Sequence, residues 1–332
     1  MRFALMIEAQ QGLSYEDQLA IARRAEAAGF EAMFRSDHYA SFPGDSDQVT
    51  TDAWAVLAGL ARETTTIRLG ALVSPVTVRH PGNFAKVVTT VDHMSGGRLE
   101  IGVGAGWNEA DHLPYGLPFP SIDERADLLE DQLEILHGLW TEPDGWSYDG
   151  HQVTVRGAGL HPRPVDVPGR PRGRSGHDPN GRVRPRILVG GQGTPRGFRI
   201  AARWADEFNL TSSSAATTAK KMAELDEACR TAGREPSTLT RSAMVGVLVG
   251  ATEAEVERRG SDMMRAMGEG SGSGGGWLAE RRRRWIVGTP DEARATIQGY
   301  ADVGIERIML QDFLPRDLEM IDLMAAELIG RV

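Results

Sequence analysis

The sequence has little of what marks secreted, membrane-spanning or metal-binding proteins. Its 332 residues include a single cysteine, Cys229, so no internal disulfide can form and a reducing compartment is expected. No apolar run approaches the roughly 20 residues that a membrane-spanning helix needs, and the short apolar run at the start meets an acid too early for a signal peptide. No cluster of His, Cys, Asp and Glu has metal-ligand spacing. We therefore expect a soluble, cytoplasmic protein without a bound metal.

An excess of positive charge is also absent. Lysine and arginine number 37 against 46 acidic residues, which gives a formal net charge of -9. A mildly acidic surface argues against nucleic acid and against an anionic membrane as main partners, and it still allows a local basic pocket for a phosphorylated ligand. Because 41% of the residues are hydrophobic, the chain can bury a large core. Length and composition suit either one large core or two domains of ordinary size, and the strand count below favours one domain over residues 1–332.

Apolar strand-like runs alternate with helical segments along most of the chain. One such unit spans residues 67–108, where two runs that are apolar throughout enclose a helix at 81–94. Strands of this kind are typical of a parallel sheet covered by helices. The whole chain contains eight strand-like runs, at 2–8, 30–35, 67–73, 99–103, 186–189, 207–210, 240–249 and 305–311. Eight strands favour an α/β fold of the (β/α)8 TIM-barrel type over a doubly wound sheet.

Two long segments interrupt this alternation, at 141–184 and 267–286. The first is rich in proline, glycine and arginine and has room for a short hairpin at 146–155. The second contains a Gly/Ser run at 269–276, which we expect to be mobile, and a further helix at 277–286. Its four arginines, Arg281 to Arg284, form either a solvated helix face or a lid that contacts phosphate. We expect both segments to cover the mouth of the barrel, as lids do.

Candidate functional residues follow the strands, where barrel chemistry is found. Asp37 and His38 end the second strand, and a carboxylate beside a histidine can orient the ring for general acid–base work; a structural role is the alternative. Five residues after the fifth strand form either a tight turn or an anion site at a helix N-terminus: Gly190, Gly191, Gln192, Gly193 and Thr194. The glycines at 102–106 lack the dinucleotide fingerprint, and they indicate close approach of something flat.

Five stretches together resemble a known family. They are RSDHY after the second strand, LVSPVTVRHP after the third, SGGRLEIGVGAGWN through the fourth, VGGQG after the fifth and WIVGTPDEA before the last. In this combination the chain resembles the bacterial luciferase-like flavin or deazaflavin oxidoreductases over nearly its whole length. The resemblance is strongest to the branch that uses the deazaflavin coenzyme F420.

The resemblance implies a barrel whose cofactor ring lies at the carboxyl ends of the strands. It implies a non-proline cis peptide at Leu72–Val73, next to Ser74, that backs the ring, with Asp37 and His38 beside it. It also implies that Gly106 and Asn108 touch the ring or its ribityl chain, and that Gly190, Gly191, Gln192, Gly193 and Thr194 hold the phosphate. The sugar-phosphate dehydrogenases of the family carry a carboxylate where this chain has Trp107, so we expect an apolar or aromatic substrate wall instead.

These implications define the expected function. It is an F420-dependent oxidoreductase that reduces an activated C=C or C=N bond, with His38 supplying the proton and Asp37 orienting it. One alternative is an FMN-dependent monooxygenase of the same fold. Another is a barrel that binds a ligand without catalysis. Homodimers are common in the family, so we expect one by analogy.

Overall fold

The computed structural model describes all residues except Ser175, His177, Pro179, Ser212 and 271–274. The centre of the Gly/Ser run that the sequence predicts to be mobile therefore lies outside the described residues. In the part of the chain that is described, no helix is both long enough and apolar enough to span a membrane.

Eleven strands form within the described residues. In chain order they are β1 Arg2–Ile7, β2 Ala32–Arg35, β3 Arg68–Pro75, β4 Leu99–Gly104, β5 Trp146–Asp149, β6 Thr154–Ala158, β7 Arg186–Gly191, β8 Glu207–Thr211, β9 Thr240–Val249, β10 Ile286–Gly288 and β11 Arg307–Asp312. Eight of them pair in parallel in the order β9-β11-β1-β2-β3-β4-β7-β8, and β8 pairs with β9 to close the ring. The predicted (β/α)8 barrel is confirmed, and β10 adds one short strand beside β9.

Ten α-helices accompany these strands in the described ranges. They are α1 Tyr15–Ala28, α2 Ala53–Glu63, α3 Pro81–Met94, α4 Ile122–Thr141, α5 Pro195–Trp204, α6 Ala215–Thr231, α7 Glu253–Ala266, α8 Gly275–Arg281, α9 Pro290–Ala301 and α10 Leu318–Leu328. The apolar faces of most of them pack on the outside of the barrel in one continuous core, whereas those of α7 and α8 form a separate apolar cluster with β9 and β10. Cys229 is fully buried in that core, as expected of an apolar filler on a helix.

Ion pairs close the amino-terminal end of the barrel. Arg307 is fully buried there, and its Nη1 lies 2.7 Å from Glu100 and 3.3 Å from Glu207. A layer of apolar side chains fills the barrel above these charges: Ala4, Met6, Ala32, Phe34, Leu72, Leu188 and Met309. The interior is thus packed, and the open end is the one where the strands finish.

The insertion at 141–184 packs along the outside of α4 and α3 and then crosses the amino-terminal end of the barrel, so the prediction that it covers the mouth is wrong. Its chain returns past the C-terminus of α3, where Arg170 forms a buried ion pair with Asp92 at 2.6 Å. It then reaches the start of β8, where Arg184 pairs with Asp206 at 2.6 Å. The physical reason is topological: the segment connects the end of α4 to the start of β7, and such connections run on the amino-terminal side of a barrel. The predicted hairpin is present as β5 and β6.

The described part of the insertion at 267–286 does lie at the mouth. Gly268 packs against Gly44 in the loop after β2, so closely that a Cβ on Gly268 would lie 2.9 Å from the Cα of Gly44. Trp285 lies over Gly246 of β9 and stacks on Phe313, with ring centroids 5.1 Å apart. The predicted helix at 277–286 is shorter than expected, because α8 ends at Arg281 and β10 begins at Ile286.

Candidate active site

Four neighbouring strands bring the candidate residues to one arc of the barrel mouth. Asp37 and His38 follow β2, Ser74 is near the end of β3, and Asn108 follows β4. Gly190 and Gly191 end β7, which pairs with β4. Because β2, β3, β4 and β7 are consecutive around the ring, the residues that the sequence singles out lie side by side.

His38 is held by a carboxylate from another loop. Its Nδ1 lies 2.6 Å from Oδ2 of Asp111, a residue that ends a short 3-10 helix after β4. The imidazole also meets Phe42 and Trp107 edge-on, with ring centroids 4.6 and 5.7 Å away. The side chain of His38 remains 17% exposed. It is therefore fixed in position yet open to the mouth.

Asp111 is a buried and ionised group. Its Oδ1 accepts hydrogen bonds from the backbone N–H groups of Tyr39 at 2.9 Å and Ala40 at 2.8 Å. Burial disfavours the charge, but the hydrogen bonds from His38 and from these two N–H groups outweigh it and lower the pKa of Asp111. Sequence reasoning missed this residue because it lies 73 positions from His38, and only the folded loop after β4 brings the two together.

Asp37 does not orient His38, and that prediction is wrong. Its carboxylate accepts two hydrogen bonds from Arg79, at 2.6 and 3.2 Å, and a third from the hydroxyl of Ser74 at 2.8 Å. Successive side chains on an extended chain point to opposite sides, so Asp37 and His38 cannot both face the same partner. Asp37 instead fixes the end of β3 through Ser74, which also accepts a bond from Trp54 Nε1 at 2.8 Å.

The peptide bond between Leu72 and Val73 is cis, as the resemblance implied. It lies where the pairing of β3 with β4 shifts register. The side chain of Val73 occupies a groove between two glycines: a Cβ on Gly104 would lie 2.7 Å from it, and one on Gly190 would lie 2.6 Å from it. Both contacts are too short for any larger residue, so these glycines are what allows Val73 to lie against the strand ends.

The loop after β4 carries an unpaired donor. Asn108 uses its Oδ1 to accept from the N–H of Ala110 at 3.3 Å, whereas its Nδ2 is buried and has no partner among the described residues. Buried polar atoms are nearly always hydrogen-bonded. Gly106 precedes it with a φ of +79°, a conformation that favours glycine. The loop thus presents a free N–H group near the predicted ring site.

The glycine-rich loop between β7 and α5 is open on its outer side. Around a Cβ placed on Gly191, no described atom lies within 4 Å. Thr194 caps α5, its hydroxyl accepting from the N–H of Gly197 at 3.1 Å, so the helix N-terminus faces the loop. Lys221 of α6 adds a cation that sequence reasoning missed, since its Nζ donates to the carbonyl oxygen of Gly193 at 2.9 Å.

Polar side chains form the floor of the mouth. Glu8, at the end of β1, is buried and accepts from Gln10 Nε2 at 2.8 Å and from Gln311 Nε2 at 2.5 Å. Ser36 donates to the same Gln10. Sequence reasoning missed this cluster because its members come from three strands. It places a carboxylate at the mouth of the barrel.

An apolar wall flanks His38 on the solvent side. Trp107 is 67% exposed, and its ring meets Phe42 edge-on at 5.4 Å. Leu113 and Tyr115 in the same loop are also exposed. One loop beside His38 therefore carries three large exposed apolar side chains.

Fold and site together define a class of protein: a parallel eight-stranded barrel with its candidate chemistry at the carboxyl ends of the strands. The chain belongs to the luciferase-like monooxygenase family, whose sequence model matches residues 1–307.

Individual relatives differ in the activity that they are named for. The F420-dependent glucose-6-phosphate dehydrogenase of Nakamurella multipartita is 32% identical over 219 residues, covering 65% of this chain and 57% of that protein. The dibenzothiophene-sulfone monooxygenase of Rhodococcus erythropolis is 28% identical over 273 residues, covering 72% and 56%. The chain spans from 52% to 66% of the length of the curated relatives that it matches.

Solved structures confirm the fold. An F420-dependent secondary alcohol dehydrogenase in complex with an F420-acetone adduct superposes with a TM-score of 0.78 at 20% identity, over 99% of this chain and 98% of that one. At this identity the likeness concerns the architecture alone.

Proposed function

We propose that the protein is an F420-dependent oxidoreductase that transfers a hydride between the deazaflavin and a small organic substrate. The observation that carries the proposal is that three features lie together at one arc of the mouth. They are the Val73 side chain between its two glycines, the buried Nδ2 of Asn108 without a partner, and His38 held by Asp111. Relatives named for F420-dependent activity support the choice of cofactor.

The residues present fit the deazaflavin. A ring bearing carbonyl and hydroxyl groups would supply the acceptor that Asn108 Nδ2 lacks. The cis peptide at Leu72–Val73, with Ser74 beside it, would back that ring, and Gly106 would let it approach the backbone. Asp37 would act from behind by holding Ser74 in place. These are the cofactor contacts that we propose on the ring side.

The loop between β7 and α5 is the proposed phosphate site. Its N–H groups at Gly190, Gly191, Gln192, Gly193 and Thr194 lie at a helix N-terminus, which favours an anion. The open space beside Gly191 supports the same assignment. Lys221, which also forms an ion pair with Glu224 at 2.9 Å, places an ammonium group beside the loop. A phosphate there would lie one strand away from Asn108, because β4 and β7 are neighbours.

His38 is the proposed proton donor and acceptor. A bound deazaflavin supplies or accepts the hydride, and it reacts poorly with oxygen. When a substrate is reduced, protonated His38 gives its proton to the atom next to the carbon that receives the hydride. When a substrate is oxidised, neutral His38 takes that proton back. Phe42 and Trp107 lie against the imidazole and exclude water from one side of it.

The substrate that this mouth fits best is apolar or aromatic. Two aromatic rings, those of Phe42 and Trp107, lie edge-on against His38. Trp107 stands where a sugar-specific carboxylate would be expected, so a phosphorylated sugar is a poor fit. An activated C=C or C=N bond in such a substrate accepts a hydride at carbon and a proton at the neighbouring atom, which is what His38 can provide.

The second candidate function is an FMN-dependent monooxygenase. The dibenzothiophene-sulfone monooxygenase covers a larger share of this chain than the glucose-6-phosphate dehydrogenase does, although at lower identity. FMN also carries a phosphate and a ring with carbonyl groups, so the contacts proposed above would suit it as well.

Fluorescence titration of the purified protein with F420 and, in parallel, with FMN tests the proposal. Binding of F420 alone supports hydride transfer, and it justifies a screen of apolar unsaturated compounds with the reduced coenzyme. Binding of FMN alone favours the monooxygenase. Binding of neither leaves a barrel that holds some other ligand and overturns the proposal.

A further inference from the structure

We propose that Asp111 is the positioning residue of His38: it fixes the tautomer with the proton on Nδ1, so that Nε2 is the nitrogen that exchanges a proton with substrate. Nothing in the family resemblance assigns this role, which in the sequence seemed to belong to Asp37. The inference rests on the proposed function for its catalytic consequence, whereas the tautomer is a property of the chain itself.

The hydrogen bonds around Asp111 leave one arrangement for the imidazole. Oδ1 already accepts from the N–H groups of Tyr39 and Ala40. Oδ2 is left for His38, 2.6 Å from Nδ1. An ionised carboxylate can only accept hydrogen bonds, so the proton between the two atoms belongs to Nδ1. The low pKa of Asp111 keeps the carboxylate ionised.

The position of Asp111 is itself fixed from both sides. His112, the next residue, joins the loop to the end of β3, since its Nε2 lies 2.6 Å from the hydroxyl of Thr77. Its Nδ1 lies 2.9 Å from the carbonyl oxygen of Asn108. The side chain of Asp111 is 3% exposed. The carboxylate is therefore preorganised before any ligand arrives.

The imidazole cannot satisfy Asp111 in any other orientation. A flip of the ring would exchange Nδ1 for a carbon and break the bond to Oδ2. The edge contacts with Phe42 and Trp107 further restrict rotation. Because Nδ1 is engaged, the ring nitrogen that remains for substrate is Nε2. A neutral His38 then presents a lone pair to the mouth, and a charged one presents a proton.

The substitution Asp111→Asn isolates this effect with little change in shape. The amide oxygen can keep both backbone N–H bonds, while the NH₂ group replaces Oδ2 and donates to Nδ1. The proton of neutral His38 must then move to Nε2. Asp37→Asn is the matched control: it changes the carboxylate next to His38 in sequence, which bonds to Arg79 and Ser74 instead.

Nitrogen-15 NMR of histidine-labelled protein reads the tautomer directly, without cofactor, at a pH where the neutral ring dominates. The His38 signals are assigned by their loss in His38→Gln. We expect Nδ1–H in the wild type and in Asp37→Asn, and Nε2–H in Asp111→Asn. A wild-type His38 with the proton on Nε2 overturns the inference. The tautomer is read on the wild type itself, and only the assignment uses a variant, His38→Gln, whose fold is checked by circular dichroism.

Turnover gives the catalytic half of the test once a substrate has been found. Asp111→Asn should lower kcat on the order of 10²- to 10⁴-fold while changing the Kd for F420 less than about threefold. An unchanged kcat with the tautomer reversed would overturn the positioning role. Failure of F420 to bind the wild type would refute the proposed function and leave the tautomer result standing.

Discussion

Gly191→Val should abolish most of the affinity for F420 without affecting the fold. No described atom lies within 4 Å of a Cβ at this position, and the backbone there is in a region that any residue can adopt. The free energy of unfolding should therefore change by less than about 0.5 kcal/mol. The valine methyl groups would instead fill the open side of the loop, where we place the phosphate.

The expected loss follows from the bonds that would be blocked. A hydrogen bond to a charged group contributes about 1.5–3 kcal/mol. Losing one such bond between the loop and the phosphate weakens binding about 10- to 150-fold. Fluorescence titration with F420 measures this loss. A second titration with the deazaflavin chromophore lacking its phosphate should give the same Kd for variant and wild type, because the ring site is untouched.

Gly190→Val is the matched control one residue away. Its Cβ would lie 2.6 Å from Val73, so the groove behind the proposed ring must move. This variant should lose affinity for the chromophore with and without phosphate, and its melting temperature should fall. If Gly191→Val bound F420 as tightly as the wild type, or lost affinity for both compounds equally, the phosphate would have to be placed elsewhere.

Three further outcomes test other parts of the structure. His38→Ala should lower kcat on the order of 10²- to 10⁴-fold with F420 affinity and melting temperature unchanged; normal turnover would remove His38 from the mechanism. Trp107→Ala should raise the KM for apolar substrates without lowering the melting temperature, because the side chain is exposed. Equal KM values for variant and wild type would show that Trp107 does not contact the substrate. Burial raises the pKa of Asp312 from 3.8 to about 7, so its proton stabilises the fold fully below about pH 4, and this stability is lost as the pH rises through about 7. The unfolding free energy of the wild type should fall by about 1.4 kcal/mol per pH unit between these two pKa values, which amounts to about 3 kcal/mol between about pH 5 and about pH 8. Asp312→Asn should lack this fall when both proteins are measured by denaturant titration. Identical slopes of unfolding free energy against pH would contradict the buried acid.

Much of the barrel could be predicted from the sequence because its information is local. Apolar runs bounded by turn residues mark the strands to within about two residues, and Gly29, with a φ of 91°, ends α1 as a C-cap glycine is expected to. The same logic failed for the insertion at 141–184. Its composition resembles that of a lid, whereas its side of the barrel depends only on its place between α4 and β7. The order of elements along the chain predicts the correct side of the barrel, whereas composition alone does not.

The location of the site could be predicted from the sequence, but the hydrogen-bond partners of its side chains could not. Any residue that follows a barrel strand reaches the mouth, so Asp37, His38 and Asn108 could be placed there from position alone. Which carboxylate meets the imidazole depends on how the loop after β4 folds back over β2, and that contact is non-local. Lys221 was not predicted for the same reason, since it lies within α6 and approaches Gly193 only in the folded chain.

One short turn couples the proposed proton donor to the proposed cofactor contact. Asn108 begins the 3-10 helix that Asp111 ends, and His112 fixes both to β3 through Thr77. A ligand that accepts a hydrogen bond from Asn108 Nδ2 would therefore bind to the same turn that contains Asp111, the proposed positioning residue of His38. A carboxylate on β2 itself could not create this coupling, because it would move with the histidine. The partner of His38 comes from the loop after β4, so the proposed ring contact, Asn108, and the proposed positioning residue, Asp111, belong to the same short turn.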